Sequence, residues 1–124
     1  MSERLSILLV EDNLLNQRIV TFSLKKFKHE VVIANNGLEG LNMYKSQKFD
    51  VVLMDIMMPV MDGYETMRNI RNKFEFKDLP IIAITAKAMK EDRQKCIEAG
   101  ANDYLSKPVN TEKLFNLMRV WLYQ

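Results

Sequence analysis

The sequence predicts an α/β sandwich, and two observations carry that expectation. Five short apolar runs alternate with five stretches of helical period. The central runs, Ile7-Leu8-Leu9-Val10, Val51-Val52-Leu53-Met54 and Ile81-Ile82-Ala83-Ile84, are apolar at every position. A strand with one wet face would alternate, so continuous runs fit parallel strands covered on both faces. At 124 residues, with no Pro- or Gly-rich linker, the chain is expected to form one domain over 1–124.

In chain order, strands are expected near 5–10, 30–34, 50–54, 80–84 and 101–105, and helices near 14–27, 37–46, 63–74, 88–98 and 111–123. The first helix offers Leu15, Ile19 and Phe22 at i, i+4 and i+7 as its inner face. Asp62, with Glu65 three residues on, forms an acidic analogue of a capping box and opens the third helix. The fourth helix is thinly apolar: beyond Met89, Cys96 and Ile97 it is mostly charged, and weak anchoring follows. Gly100 suits a left-handed stop after it. Asn110 is a good N-cap for the last helix, whose inner face reads Leu114, Leu117, Met118 and Trp121.

Five βα units imply a parallel five-stranded sheet with helices on both faces, because right-handed parallel crossovers need a helix-length connection. The common order for such a doubly wound (βα)5, flavodoxin-like sandwich is 2-1-3-4-5. It brings four chemically loaded strand ends together: Glu11 and Asp12 after the first strand, Asp55 after the third, Thr85 after the fourth, and Lys107, followed by Pro108, after the fifth. Ligands of open α/β sheets bind at those carboxyl ends. Carboxylates crowded this closely need a cation, and a hard divalent ion such as Mg2+ takes one or two of them while leaving room for water and phosphate. Singly, each residue has a plainer role. The two acids favour the positive end of the first helix, Asp55 suits a turn, Thr85 is a capping type and Lys107 suits a solvated surface. Their convergence on one edge favours a phosphoryl site.

These motifs, Val10-Glu11-Asp12-Asn13, Met54-Asp55-Ile56-Met57-Met58-Pro59-Val60-Met61-Asp62-Gly63, Ile84-Thr85-Ala86 and Lys107-Pro108, resemble those of the receiver domain of two-component response regulators. The likeness runs from about residue 7 to 122. The stretches Glu11 to Gln17 and Ala83 to Met89 look most like receivers of hybrid histidine kinases. The resemblance implies that Asp55 accepts the phosphoryl group, and that Glu11, Asp12, Asp55 and the Met57 carbonyl hold Mg2+. It also implies that Thr85 and Tyr104 act as switch residues, and that Lys107 is the conserved-position amine with a cis bond to Pro108. It implies a histidine kinase or histidine phosphotransfer domain as donor. Such a domain catalyses its own phosphorylation and dephosphorylation and is no free-standing metabolic enzyme.

Lone Cys96 excludes an internal disulfide and fits a reducing compartment, no apolar stretch reaches membrane-spanning length, and the first residues lack a signal-peptide layout. A cytoplasmic location without membrane contact is expected. The formal charge of +2 is spread among acids, which argues against direct nucleic-acid binding. His29, the one histidine, falls between the first helix and second strand and is expected at a surface or packing boundary. Three rivals share features of the site. A haloacid-dehalogenase-type phosphatase needs an acid where Met57 stands, and a flavodoxin needs a Ser/Thr/Gly-rich loop where Glu11-Asp12-Asn13 stands. A receiver-like module that only binds is the third. Docking of the donor is expected on helix 1 near Asn13, Leu14 and Gln17. The face of helix 4, strand 5 and helix 5 is expected to change on activation and to serve a downstream protein or a homodimer. A stand-alone regulator and a receiver of a larger hybrid kinase both fit.

Overall fold

A computed structural model of the chain describes residues 4–58, 60–72, 78–86 and 89–122. Pro59, Lys87 and Ala88 of the quoted motifs, positions 73–74 of the expected third helix and position 123 of the last lie outside the described residues. The elements run β1 (Ser6–Val10), α1 (Leu14–Lys26), β2 (Glu30–Ala34), α2 (Gly37–Ser46), β3 (Val51–Asp55), α3 (Gly63–Arg71), β4 (Ile81–Thr85), α4 (Lys90–Ala99), β5 (Asp103–Ser106) and α5 (Thr111–Leu122). All sheet pairings are parallel and the order is β2-β1-β3-β4-β5, as the sequence predicts.

Strand alternation splits the core into two layers. Leu8, Val10, Val52, Met54, Ile81 and Ala83 face α2, α3 and α4, where Leu41, Tyr44, Met67, Ile70, Cys96 and Ala99 meet them. Ile7, Leu9, Val51, Leu53, Ile82 and Ile84 face α1 and α5, meeting Val20, Leu24, Leu114 and Met118. A sheet apolar on both faces thus takes helices on both sides, which is the doubly wound solution.

Several expectations need correction at the level of side chains. Leu15 and Phe22 of α1 are 66% and 73% exposed, and Ile19 is exposed as well, while Gln17, Val20 and Leu24 are buried. The helix carries two stripes on nearly opposite sides, roughly 170° apart at 3.6 residues per turn. Spacing identifies both stripes, but the angle at which the helix lies on the sheet selects the inner one. In α4, Met89 and Ile97 are exposed, so only Cys96 and Ala99 anchor the helix, and it has no side-chain N-cap. In α5, Leu114 and Met118 are buried while Leu117 and Trp121 are half-buried. β5 starts at Asp103 rather than near 101, because Ala101 N donates to Cys96 O in the turn that leaves α4. His29 is 4% exposed, so it is a buried boundary residue, and its Nδ1 accepts from Leu5 N at 3.1 Å.

Local sequence fixes the helix starts near the site. Asn13 Oδ1 accepts from Asn16 N at 3.0 Å, Asp62 Oδ1 accepts from Glu65 N at 2.9 Å, and Asn110 Oδ1 accepts from Lys113 N at 3.1 Å. Gly100 has φ of 122°, a conformation that favours glycine at a helix stop. Val60 also has positive φ, 72°, where a β-branched side chain is strained.

Candidate functional site: an acidic pocket at the strand ends

Register places the site. Val10 pairs with Met54, so Glu11 leaves β1 beside Asp55, and Asp55 pairs with Ile84, one residue before Thr85. Thr85 pairs with Ser106, one residue before Lys107, and Lys107 N donates to Thr85 O at 2.8 Å. Asp55 and Thr85 are therefore the last residues of their strands, a position shorter of the loops than expected. The α3 start closes the floor: Gly63 N donates to Ile56 O at 2.9 Å, and a Cβ on Gly63 would collide with the Asp55 carbonyl and with Ile56.

Glu11, Asp12 and Asp55 each bring a carboxylate oxygen within 4.8 Å of the others. Asp12 is exposed, whereas Glu11 and Asp55 are each 1% exposed. Lys107 Nζ lies 3.2 Å from Glu11 Oε1 and 3.2 Å from Asp55 Oδ1. These approaches are ion pairs without hydrogen-bond direction at Asp55, whose two buried oxygens lack a directed partner among the described residues. Burial and then the neighbouring Glu11 charge push the Asp55 carboxyl up to about 7, against the lowering effect of Lys107. Burial works against the charge on Lys107, yet the Asp55 and Glu11 carboxylates outweigh it and hold the ammonium above the ordinary lysine value. Two buried acids, Asp55 with both oxygens undirected, and a third acid at the rim make an oxygen donor set that suits a hard divalent cation, with the Lys107 ammonium beside it.

The remaining expected residues surround this pocket. Thr85 is buried beneath the β4 end. Tyr104 is half-buried against the α2, α3 and α4 layer, with the Arg93 guanidinium 5.7 Å from its ring centroid. The Lys107–Pro108 bond is cis. Met57 is exposed in the loop after β3, and Met58 packs partly against the core.

Gln17 was expected at a docking surface but is 5% exposed, and this changes its meaning. Its Nε2 donates to Glu11 O at 2.6 Å and to Asn35 Oδ1 at 2.8 Å. Asn35 Nδ2 donates in turn to Glu39 Oε1 at 3.2 Å. The signal that would have found it is phase: Gln17 precedes Val20 and Leu24 by three and seven residues, so it shares the truly buried stripe.

Among the described residues no helix is long and apolar enough to cross a membrane. The chain is 43% identical over 119 residues to hybrid signal transduction histidine kinase M of Dictyostelium discoideum, covering 91% of this chain and 5% of that protein. It is 38% identical over 119 residues to hybrid signal transduction histidine kinase I of the same organism, covering 90% of this chain and 7% of that one. The chain thus spans a small part of those kinases. By contrast, the polar-differentiation response regulator DivK of Brucella anthropi matches over nearly its whole length, 32% identical with 94% of this chain and 95% of that protein covered. Among solved structures, the receiver domain of a sensor histidine kinase from Pseudomonas aeruginosa PAO1 superposes with a TM-score of 0.90, 37% identity and coverage of 98% and 100%. That structure has a magnesium ion coordinated in its active site cleft. A response regulator receiver domain from Saccharomyces cerevisiae, co-crystallised with a histidine phosphotransfer signaling protein, superposes with a TM-score of 0.89, 34% identity and coverage of 96% and 89%. The family model described as "Response regulator receiver domain" matches residues 7–119, and the chain belongs to that family, as a receiver domain of two-component signalling.

Proposed function

We propose that this chain accepts a phosphoryl group on Asp55 from the phosphohistidine of a histidine kinase or histidine phosphotransfer domain. The observation that carries the reading is the buried Asp55 carboxylate, with no directed hydrogen bond among the described residues, Glu11 beside it and the Lys107 ammonium 3.2 Å away. An Asp55 oxygen forms the new P–O bond as the P–N bond to the donor imidazole breaks, and the imidazole keeps that bonding pair. Charge spreads over the phosphoryl oxygens during such a transfer, so cations held in place do most of the work. Lys107 is one such cation, kept protonated against its burial by the Asp55 and Glu11 carboxylates 3.2 Å away. Glu11, Asp12, Asp55 and the Met57 carbonyl are the groups proposed to hold Mg2+. When bound, the ion supplies positive charge for the phosphoryl oxygens and offsets the repulsion among the acids.

The readout follows from what surrounds Asp55. Thr85 ends the neighbouring strand, and its hydroxyl is proposed to donate to a phosphoryl oxygen, drawing the β4–α4 loop inward and giving Tyr104 room to rotate. α4 is the element least able to resist, being anchored by Cys96 and Ala99. The α4, β5 and α5 face is therefore the proposed output surface, for a downstream protein or a second copy. The donor is proposed to dock on α1, where Leu14, Leu15, Ile19 and Phe22 form an exposed apolar face continuous with the site at Asn13. Gln17 takes no part in that face.

Incubation with Mg2+ and a small phosphodonor, followed by intact-mass measurement, tests the reading. One added phosphoryl group in the wild type and none in Asp55→Asn is the expected result. A wild type that gains no mass refutes it.

A further inference from the structure

Gln17 sits under the loop that presents Glu11 and Asp12, and the polarity of its contacts is forced from both ends. The Glu39 carboxylate and the Glu11 backbone carbonyl only accept. Asn35 must therefore turn its amide nitrogen to Glu39 and its Oδ1 to Gln17. Gln17 must in turn spend both Nε2 hydrogens, one on Asn35 and one on Glu11 O. The chain of bonds joins four segments, α2 at Glu39, the β2–α2 loop at Asn35, the body of α1 at Gln17 and the β1–α1 loop, and it ends on the carbonyl of a residue that carries a pocket carboxylate. On the other side of that residue, Glu11 Oε2 accepts from Asn13 N at 3.1 Å, and Glu11 N donates to Ala34 O at 3.0 Å. Glu11 is thus held at its amide, its side chain and, through Gln17, its carbonyl. Beside the Lys107 ammonium, which lies 3.2 Å from Glu11 Oε1, Gln17 is the side chain from outside the loop that holds the Glu11 backbone among the described residues.

We infer that Gln17 is a positioning residue for the divalent-cation site, setting through the Glu11 carbonyl the angle at which Glu11 and Asp12 present their carboxylates. The inference rests on the functional reading above, since it presupposes that these acids hold the ion. Groups that orient ligands without touching the metal change metal affinity by about 10- to 100-fold when removed. The nearly isosteric Gln17→Glu is the sharpest perturbation, because it places a carboxylate against two acceptors. Gln17→Met removes both donors while keeping the shape of the side chain.

The test is the Mg2+ dissociation constant by titration calorimetry, with urea unfolding of each variant to confirm folding. Gln17→Glu and Gln17→Met should each weaken Mg2+ binding about 10-fold or more. A second substitution separates the Glu11 contact from the Asn35 contact. With Glu39→Gln added, residue 39 can donate and Asn35 can invert its amide toward residue 17, but no donor returns to the Glu11 carbonyl, so the Gln17→Glu protein should stay weakened. Glu39→Gln alone should bind like the wild type. Variants that fold and bind Mg2+ within about two-fold of the wild type overturn the inference, as does recovery of Gln17→Glu to wild-type affinity on adding Glu39→Gln. Should Gln17→Glu fail to fold, unchanged affinity in Gln17→Met overturns it alone. A wild type that binds no Mg2+ sinks the metal-site reading instead, and this inference with it.

Discussion

Asp55→Asn is expected to stabilise the metal-free protein at neutral and higher pH, although it removes the proposed phosphoacceptor. Burial and the Glu11 charge raise the Asp55 carboxyl from 3.8 to about 7, so between those values the folded chain keeps a proton that the unfolded chain has released. A raised carboxyl gives stability that is full below the unfolded value of 3.8 and is lost as pH rises through about 7. At about 1.4 kcal/mol per unit, the whole climb amounts to about 4 kcal/mol. That is a ceiling, since Glu11 shares the titration and Lys107 loses one of its two partners in the variant. The advantage of Asp55→Asn over the wild type should therefore grow by about 2–3 kcal/mol between about pH 5 and pH 8. Urea unfolding followed by circular dichroism, in a chelating buffer, measures it. Comparing the two proteins at each pH cancels the contribution of His29, which both contain. Adding Mg2+ to about 100 times its dissociation constant should return about 2.7 kcal/mol to the wild type and much less to the variant. A difference between the two proteins that stays constant across this pH range would refute the reasoning, because the pocket would then impose no penalty on the ionised carboxylate.

Burial also holds the His29 imidazole below its ordinary 6.5, with the unfolded chain protonating first as pH falls. Its contribution is thus full above 6.5 and declines at lower pH, by up to about 1.4 kcal/mol per unit. His29→Gln keeps an acceptor for Leu5 N and should flatten urea midpoints between about pH 6.5 and pH 5. Leu15→Asp, on the exposed stripe of α1, should leave stability within about 0.5 kcal/mol and should slow phosphoryl transfer from a phosphohistidine protein. Its rate with a small phosphodonor should match that of the wild type, and slowing with both donors would point to damage at the pocket instead. Val60→Asn relieves a β-branched residue at φ of 72° and should stabilise the protein by about 1 kcal/mol in thermal or urea unfolding. A lower midpoint would show that the Val60 side chain makes a contact worth more than the strain.

The order of elements, the parallel sheet and the gathering of Glu11, Asp12, Asp55, Thr85 and Lys107 at one edge were legible in the chain itself. Continuous apolar runs make buried strands, helix-length crossovers force parallel pairing, and residues that follow such strands emerge on a common edge. The N-caps at Asp62 and Asn110 were legible for the same reason: a cap depends on residues three apart, all of them local. Tertiary structure decided which face of each helix turns inward. Leu15, Ile19 and Phe22 have as good a period as Val20 and Leu24, and the rotation of α1 about its own axis against the sheet buries the second set. The same rotation moves Gln17 from the expected docking surface to a buried bond with the Glu11 carbonyl. On the other face of the sheet, α4 keeps two anchors where the sequence offered three, because Met89 and Ile97 turn outward while Ala99, too small to attract notice, turns in. Periodicity records how far apart side chains lie around a helix, whereas burial depends on the rotation of that helix against a sheet built from distant segments, and that rotation is set by the packing of the whole.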